Sequence, residues 1–183
     1  MDYSYEVNVC LNARFQPVHR HLLEDAIDEI LQKKGFGEVD GGGITQMSSG
    51  EIDSCEIVLL LRDTTDDTIR ETVNIIDHLG VPKGSQLRYG ENTVPIGDME
   101  GLALYLNGTD LPPEVYKVCD INAVIEELER LLANSGRMYS YWEGARETGL
   151  YFYGGSYKEM AGKIQEFLAE YPLCAKCRVE QIA

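Results

Sequence analysis

The order strand, helix, strand, strand, helix, strand occurs twice along the 183 residues, and it restricts the fold more than any other feature of the sequence. In residues 5–11, apolar side chains alternate with polar ones, as in a strand that buries one face. Residues 22–31 place apolar side chains at helical spacing, and Gly35 ends that run. The apolar run 57–61 indicates a central strand. A second helix, with Thr65 as its predicted cap, and a short strand complete the first half.

Three consecutive glycines, Gly41 to Gly43, raise the question of a phosphate-binding loop. Such loops work because a backbone without Cβ atoms can approach an anion, while a helix just downstream adds its N–H groups. Here two extended segments, at about 36–46 and 51–62, enclose the glycines, and no helical pattern follows them directly. We therefore predict a hairpin that turns at residues 48–50, with the glycines forming a bulge or permitting a close backbone approach.

The second half of the chain repeats this order. Residues 101–107 alternate as a strand, and Asp120 precedes a helix. Two strands follow at about 138–143 and 148–153, and then a helix and a last strand near 178–182. Local similarities in matching positions, such as LNARFQP and LNGTDLPP, support a duplication.

A βαββαβ unit of this size resembles the ferredoxin-like fold. The resemblance implies an α+β protein of two tandem units, whose antiparallel sheets carry both helices on one face. The predicted domains are residues 1–90 and 100–183, joined by a linker at 91–99. In that fold the first and third strands are central neighbours, and the second face of the sheet is open. Because unrelated proteins share this fold, it says little about function.

Strand alternation places aromatic side chains on the open face of the second unit, opposite leucines that would face the helices. The candidate contact set for a protein partner is Tyr105, Tyr139, Tyr141, Trp142, Glu143, Tyr151 and Tyr153. The corresponding positions of the first half, Cys10, Val58 and Leu60, are apolar as well. Two alternatives stay open: the tyrosine face packs between the two halves instead of meeting a partner, and Trp142 lies beneath the helices.

The charge of the chain favours a basic partner. Asp and Glu number 31 against 16 Lys and Arg, which gives a net charge of −15. A field of this sign repels nucleic acid and anionic membrane surfaces and attracts basic proteins. Aromatic sheets that bind nucleic acids need basic surroundings, which this chain lacks. Neither a nucleic-acid nor a membrane partner is therefore expected.

The remaining reactive residues do not form a recognisable site. Five cysteines at irregular spacing indicate reduced thiols, and no apolar run reaches the roughly 20 residues that span a bilayer, so we predict a cytoplasmic protein. The single CxxC motif, Cys174 to Cys177, has no second pair, and three histidines are too few for a metal triad or a nucleophile and base. The sequence predicts no catalytic residue, metal site or cofactor.

Acidity, small α+β units and an aromatic surface together resemble the immunity proteins of bacterial toxin systems, which block a toxin by covering it. The resemblance implies a non-catalytic binding or inhibitor protein whose carboxylates steer a basic toxin and whose aromatic side chains anchor it. The alternative is a small-molecule-binding regulatory protein with its ligand between sheets or domains. An enzyme with a site around His19, His21 or His78 is the third hypothesis.

Overall fold

The structure is a computed structural model that describes residues 3–183. The chain divides into two compact units, one ending at Met99 and the other spanning Glu100–Ile182. The elements of the first unit are β1 (Tyr5–Leu11), α1 (Pro17–Lys34), β2 (Gly37–Gln46), β3 (Ile52–Leu61), α2 (Asp66–Leu79), β4 (Ser85–Tyr89) and β5 (Asn92–Ile96). Those of the second are β6 (Glu100–Asn107), α3 (Pro113–Val118), α4 (Ile121–Leu132), β7 (Gly136–Glu143), β8 (Glu147–Gly154), α5 (Tyr157–Glu170), a 3-10 helix (Pro172–Cys174) and β9 (Arg178–Gln181). Within 3–183, no helix is both long and apolar enough to cross a membrane.

The sheet of the first unit has the strand order β2-β3-β1-β4-β5, with every pair antiparallel. Its first four strands have the ferredoxin-like order, and β1 and β3 are its central neighbours. Val7 pairs with Leu59 and Val9 with Ile57, and all four side chains are fully buried. The alternation in residues 5–11 therefore predicted the buried face of β1 correctly.

The second unit repeats this arrangement with the strand order β7-β8-β6-β9. Leucines of β6 and Leu150 and Phe152 of β8 pack in one core with helix side chains such as Leu128 and Ile164. The carboxylate of Asp120 accepts the Asn122 N–H at 2.9 Å and caps α4. The structure thus confirms the α+β class and the tandem ferredoxin-like topology that the sequence predicted.

The segment 91–99, which was predicted to be a linker, contains β5 instead. Tyr89 pairs with Asn92, so a two-residue turn that includes Gly90 (φ +53°) joins β4 to β5. Pro95 obscured this strand in the sequence, because proline is excluded from central strands. It is tolerated here because β5 lies at the edge of the sheet.

Two smaller predictions also differ from the structure. The helix α3 precedes α4 and was not predicted. Thr65 occupies the N-cap position of α2, but its side chain makes no capping hydrogen bond. Its hydroxyl instead donates to Asp63 at 2.7 Å.

The three glycines lie in the β2–β3 hairpin, as predicted, and each has its own role. Gly41 (φ +151°) follows a bulge in which Asp40 is the extra residue. A Cβ atom on Gly42 would overlap the Glu24 carboxylate and the Glu56 carbonyl oxygen, so Gly42 permits a close approach of α1 to the sheet. A Cβ atom on Gly43 would meet nothing within 4 Å. The first two glycines are thus structural, whereas Gly43 borders open space.

Candidate functional site

The predicted tyrosine set divides into buried and accessible members. Tyr105, Tyr151 and Tyr153 are each 1% exposed. The rings of Tyr105 and Tyr151 lie edge to face with centroids 6.3 Å apart, and those of Tyr139 and Tyr153 do so at 5.5 Å. Such pairs stabilise a buried cluster. A partner would therefore reach only the remaining residues of the set, which all belong to β7.

A bulge in β7 changes which face Tyr141 occupies. The register against β8 shifts between Met138 and Ser140, and after the shift Tyr141 pairs with Leu150. Leu150 belongs to the core beneath the helices, and directly paired residues share a face of the sheet. The prediction that Tyr141 lies on the open face beside Tyr139 is therefore wrong. A bulge reverses alternation beyond it, and nothing in the sequence marks its position.

Trp142 lies on the face opposite the helices. It pairs with Gly149, which pairs in turn with Tyr105 on the open face. Its ring covers Gly144, where a Cβ atom would overlap the indole. The alternative that Trp142 lies beneath the helices is therefore wrong. Glu143 is exposed at the end of the strand.

We call Tyr139, Tyr141, Trp142 and Glu143 the β7 edge, because β7 is an outer strand of its sheet. Tyr141 is 44% exposed, and Tyr139 and Trp142 are half-buried. The β7 edge is therefore the accessible part of the predicted contact set. Of the other large apolar side chains, Tyr5 on β1 has a similar exposure of 50%.

The open face of the second unit also carries a cation that was not predicted from the sequence. Arg178 of β9 is the register partner of Tyr105, and its guanidinium lies 3.6 Å from the centroid of that ring. Its Nε and Nη2 each donate to Glu147 at 2.9 Å. This pairing lowers the pKa of Glu147 and raises the pKa of Arg178. Strand alternation could have predicted that Arg178 and Tyr105 share a face of the sheet. It could not have predicted that Glu147 pairs with Arg178 and neutralises its charge.

The open face of the first unit carries a cavity of about 430 Å³. Four residues form a row across its strands: Gly43 of β2 pairs with Glu56 of β3, Glu56 with Cys10 of β1, and Cys10 with Gln86 of β4. Arg88 lines the cavity two residues further along β4. We call this space the open-face cavity. The prediction of an apolar surface around Cys10 fails at this end, because its neighbours on the adjacent strands are polar.

Two charged side chains of the cavity, Arg88 and Glu56, act on the Cys10 thiol. Burial raises the pKa of the Cys10 thiol, Arg88 lowers it, and Glu56 raises it, so both charges act on Cys10. Arg88 donates to Gln86 through Nε at 3.3 Å and Nη2 at 3.0 Å. The Cys10 thiol contacts the Glu56 carboxylate at 3.9 Å. With its pKa raised, Cys10 is a weak nucleophile at neutral pH.

The CxxC motif of the second unit is also poorly suited to thiolate chemistry. Cys174 is buried, and desolvation together with the neighbouring Cys177 and Cys119 thiols raises its pKa to about 12. Burial likewise raises the pKa of Cys177. Redox-active CxxC motifs have a lowered thiol pKa instead. Among residues 3–183, no group of three or more His, Cys, Asp or Glu side chains is arranged to hold a metal ion.

Comparisons with known proteins identify no family. No protein-family model matches the chain, and no curated protein matches it. Among solved structures, it is similar to an unknown protein from Galdieria sulphuraria, at 14% identity and a TM-score of 0.30, with 98% of this chain and 96% of that chain covered. It is also similar to the regulatory subunit of aspartate kinase from Thermus thermophilus, at 13% identity and a TM-score of 0.29, with 90% and 93% covered. A mutant chlorite dismutase from Candidatus Nitrospira defluvii matches at 8% identity and a TM-score of 0.32, with 97% and 90% covered. At these values the similarities contribute nothing on activity, ligand or partner.

Proposed function

We propose that the protein is a non-catalytic acidic binding protein that covers a basic protein partner. A bacterial immunity or inhibitor protein that occludes a toxin in the cytoplasm has this character. The proposal is supported by the net charge of −15 together with an accessible aromatic strand edge. Excess carboxylates accelerate the encounter with a basic partner, because they attract it over distances of about a Debye length, roughly 8–10 Å.

The β7 edge is the observation that carries this proposal. Tyrosine and tryptophan are enriched among interface residues that dominate binding energy, since they bury a large rigid surface and retain a polar group. Tyr141 supplies such a ring with 44% of its surface accessible. Glu143 beside it adds a carboxylate for a basic group of the partner. The buried tyrosines contribute only indirectly, by holding β7 and β8 in place.

Affinity capture with matched tyrosine variants tests this proposal. Tagged wild type, Tyr141→Ala and Tyr5→Ala proteins are incubated with lysate of the native host at low and moderate salt. The two tyrosines are exposed to similar extents but lie on different units, so Tyr5→Ala controls for the loss of any exposed ring. A stoichiometric basic protein should bind wild type and Tyr5→Ala, and should bind Tyr141→Ala at least about tenfold more weakly. Equal capture by both variants, or no stoichiometric protein, would contradict the proposal.

A small-molecule-binding regulatory protein is the second candidate function. The open-face cavity favours it, because its volume of about 430 Å³ falls within the range of about 300–1,000 Å³ that is typical of ligand pockets. Its polar lining would orient a ligand through specific hydrogen bonds. A metabolite that raises the melting temperature of the isolated protein would support this candidate.

A further inference from the structure

The open-face cavity presents opposite charges from two strands that flank β1. Glu56 lies on β3 and Arg88 on β4, and β1 pairs with both strands. Neighbouring strands are about 4.8 Å apart, so the backbones of β3 and β4 are separated by about 10 Å. The neutral side chain of Cys10 on β1 lies between the two strands, and the neutral Gln86 lies on β4 beside Arg88. The cavity therefore has an acidic side, a basic side and an uncharged middle.

Within residues 3–183, these two charges form no ion pair with each other or with another side chain. The hydrogen bonds of the Arg88 side chain go to the neutral Gln86. A contrasting case in the same unit is Arg20, whose Nε donates to Glu24 at 2.7 Å. A carboxylate and a guanidinium that face a shared cavity without pairing can both be satisfied by one molecule with complementary ends.

We propose that the open-face cavity binds a small zwitterion of the amino-acid class, with its carboxylate at Arg88 and its ammonium group at Glu56. This inference rests on the second candidate function, small-molecule binding. A guanidinium offers a planar fork of N–H donors that matches a carboxylate, and the Glu56 carboxylate accepts hydrogen bonds from an ammonium group. The body of the ligand lies over Cys10, because the small side chain of this cysteine leaves room for it.

Gly43 gives this cavity its open floor beside Glu56. A Cβ atom on Gly43 would meet no heavy atom within 4 Å, and Gly43 itself lines the cavity. The Cβ atom of a valine at this position would therefore enter the cavity without overlapping the protein, and valine suits a strand. Gly43→Val is thus expected to fold normally and to exclude the ligand.

NMR titration of the 183-residue protein tests the inference. The backbone amide resonances of Gly43 and Cys10 are followed while pools of L-amino acids are added to about 10 mM, which detects dissociation constants near 1 mM. At least one amino acid should shift both resonances in a saturable manner. Glu56→Gln and Arg88→Gln should each weaken binding by about 10- to 100-fold, since each removes a charge-assisted hydrogen bond. Gly43→Val should abolish binding, whereas Glu6→Gln, on the same face but outside the cavity, should bind as wild type does.

Monofunctional analogues separate failure of the ligand class from failure of small-molecule binding. An amine and a carboxylic acid matched to each amino acid tested are titrated in the same way, and a zwitterion site predicts that both bind more weakly than the amino acid. If one of these analogues binds as tightly as the amino acid, the cavity binds small molecules but the zwitterion inference is wrong. If no compound shifts either resonance, the zwitterion inference is wrong, and the second candidate function is then decided by whether any other metabolite raises the melting temperature of the protein.

Discussion

Gly42 and Gly43 are adjacent, yet substitution by alanine should have very different effects. At position 42 the new methyl group would overlap the Glu24 carboxylate and the Glu56 carbonyl oxygen, and would lie 3.0 Å from Arg20 Nε. Arg20 is 6% exposed and pairs with Glu24 at 2.7 Å. Overpacking costs about 1–3 kcal/mol, and disturbing a buried ion pair costs up to about 3–5 kcal/mol. We expect Gly42→Ala to lower the free energy of unfolding by about 2–4 kcal/mol.

Gly43→Ala should leave that free energy unchanged or raise it by about 0.5 kcal/mol. Its methyl group enters open space, and alanine reduces the conformational entropy of the unfolded chain. Urea unfolding should be followed by circular dichroism, because the single tryptophan, Trp142, reports on the other unit. Because the unit that contains Gly42 ends at Met99, calorimetry should show a melting temperature of that unit lower by about 8–32 °C for Gly42→Ala. Equal stability of the two variants, within about 0.5 kcal/mol, would refute the role assigned to Gly42.

Three further predictions follow from the core, the thiols and the surface ion pairs. Leu104→Ala should lower the free energy of unfolding by about 2–5 kcal/mol in urea titrations, because Leu104 is fully buried in the core of the second unit. A loss below about 1 kcal/mol would contradict the tight packing of this core. Iodoacetamide at about pH 8 should modify Cys55 and Cys174 slowly until urea unfolds the protein, because both thiols are buried and burial raises their pKa values to about 11 and about 12. Peptide mapping by mass spectrometry measures the modification rate of each cysteine. Equal rates in the folded and unfolded protein would contradict this prediction. Arg178 lowers the pKa of Glu147, so the stability that this pair contributes is present above the unfolded-state pKa and is lost as the pH falls through the lowered folded-state pKa. Arg178→Ala should therefore lose less stability than wild type between about pH 5 and about pH 3 in urea titrations, and identical losses would show that the pair contributes nothing.

The fold could be predicted because its signals are local and repeated. Alternation in residues 5–11 and helical spacing in residues 22–31 each identify an element without reference to the rest of the chain. The β5 strand was missed because Pro95 is compatible with a strand only at a sheet edge, and edge position depends on the complete strand order. Local sequence patterns thus determine whether a segment forms a helix or a strand. Tertiary context determines where a segment such as β5 departs from its local pattern.

The candidate sites could be predicted only in part, for two physical reasons. The register shift after Met138 reverses the faces of Tyr141 and Trp142, and no residue type in β7 requires that shift. The open-face cavity depends on side chains from four different strands, and their register cannot be read from any one segment. Gly43 illustrates this limit, because its sequence context predicts a hairpin but not that its missing side chain leaves a cavity open.

Hydroxyl-radical footprinting of the captured complex measures whether the basic partner contacts the β7 edge. Peptides containing Tyr141 and Trp142 should lose reactivity when the partner is bound, while the peptide containing Tyr5 should not. Full reactivity of the β7 edge in a complex that protects another surface would show that the partner binds elsewhere.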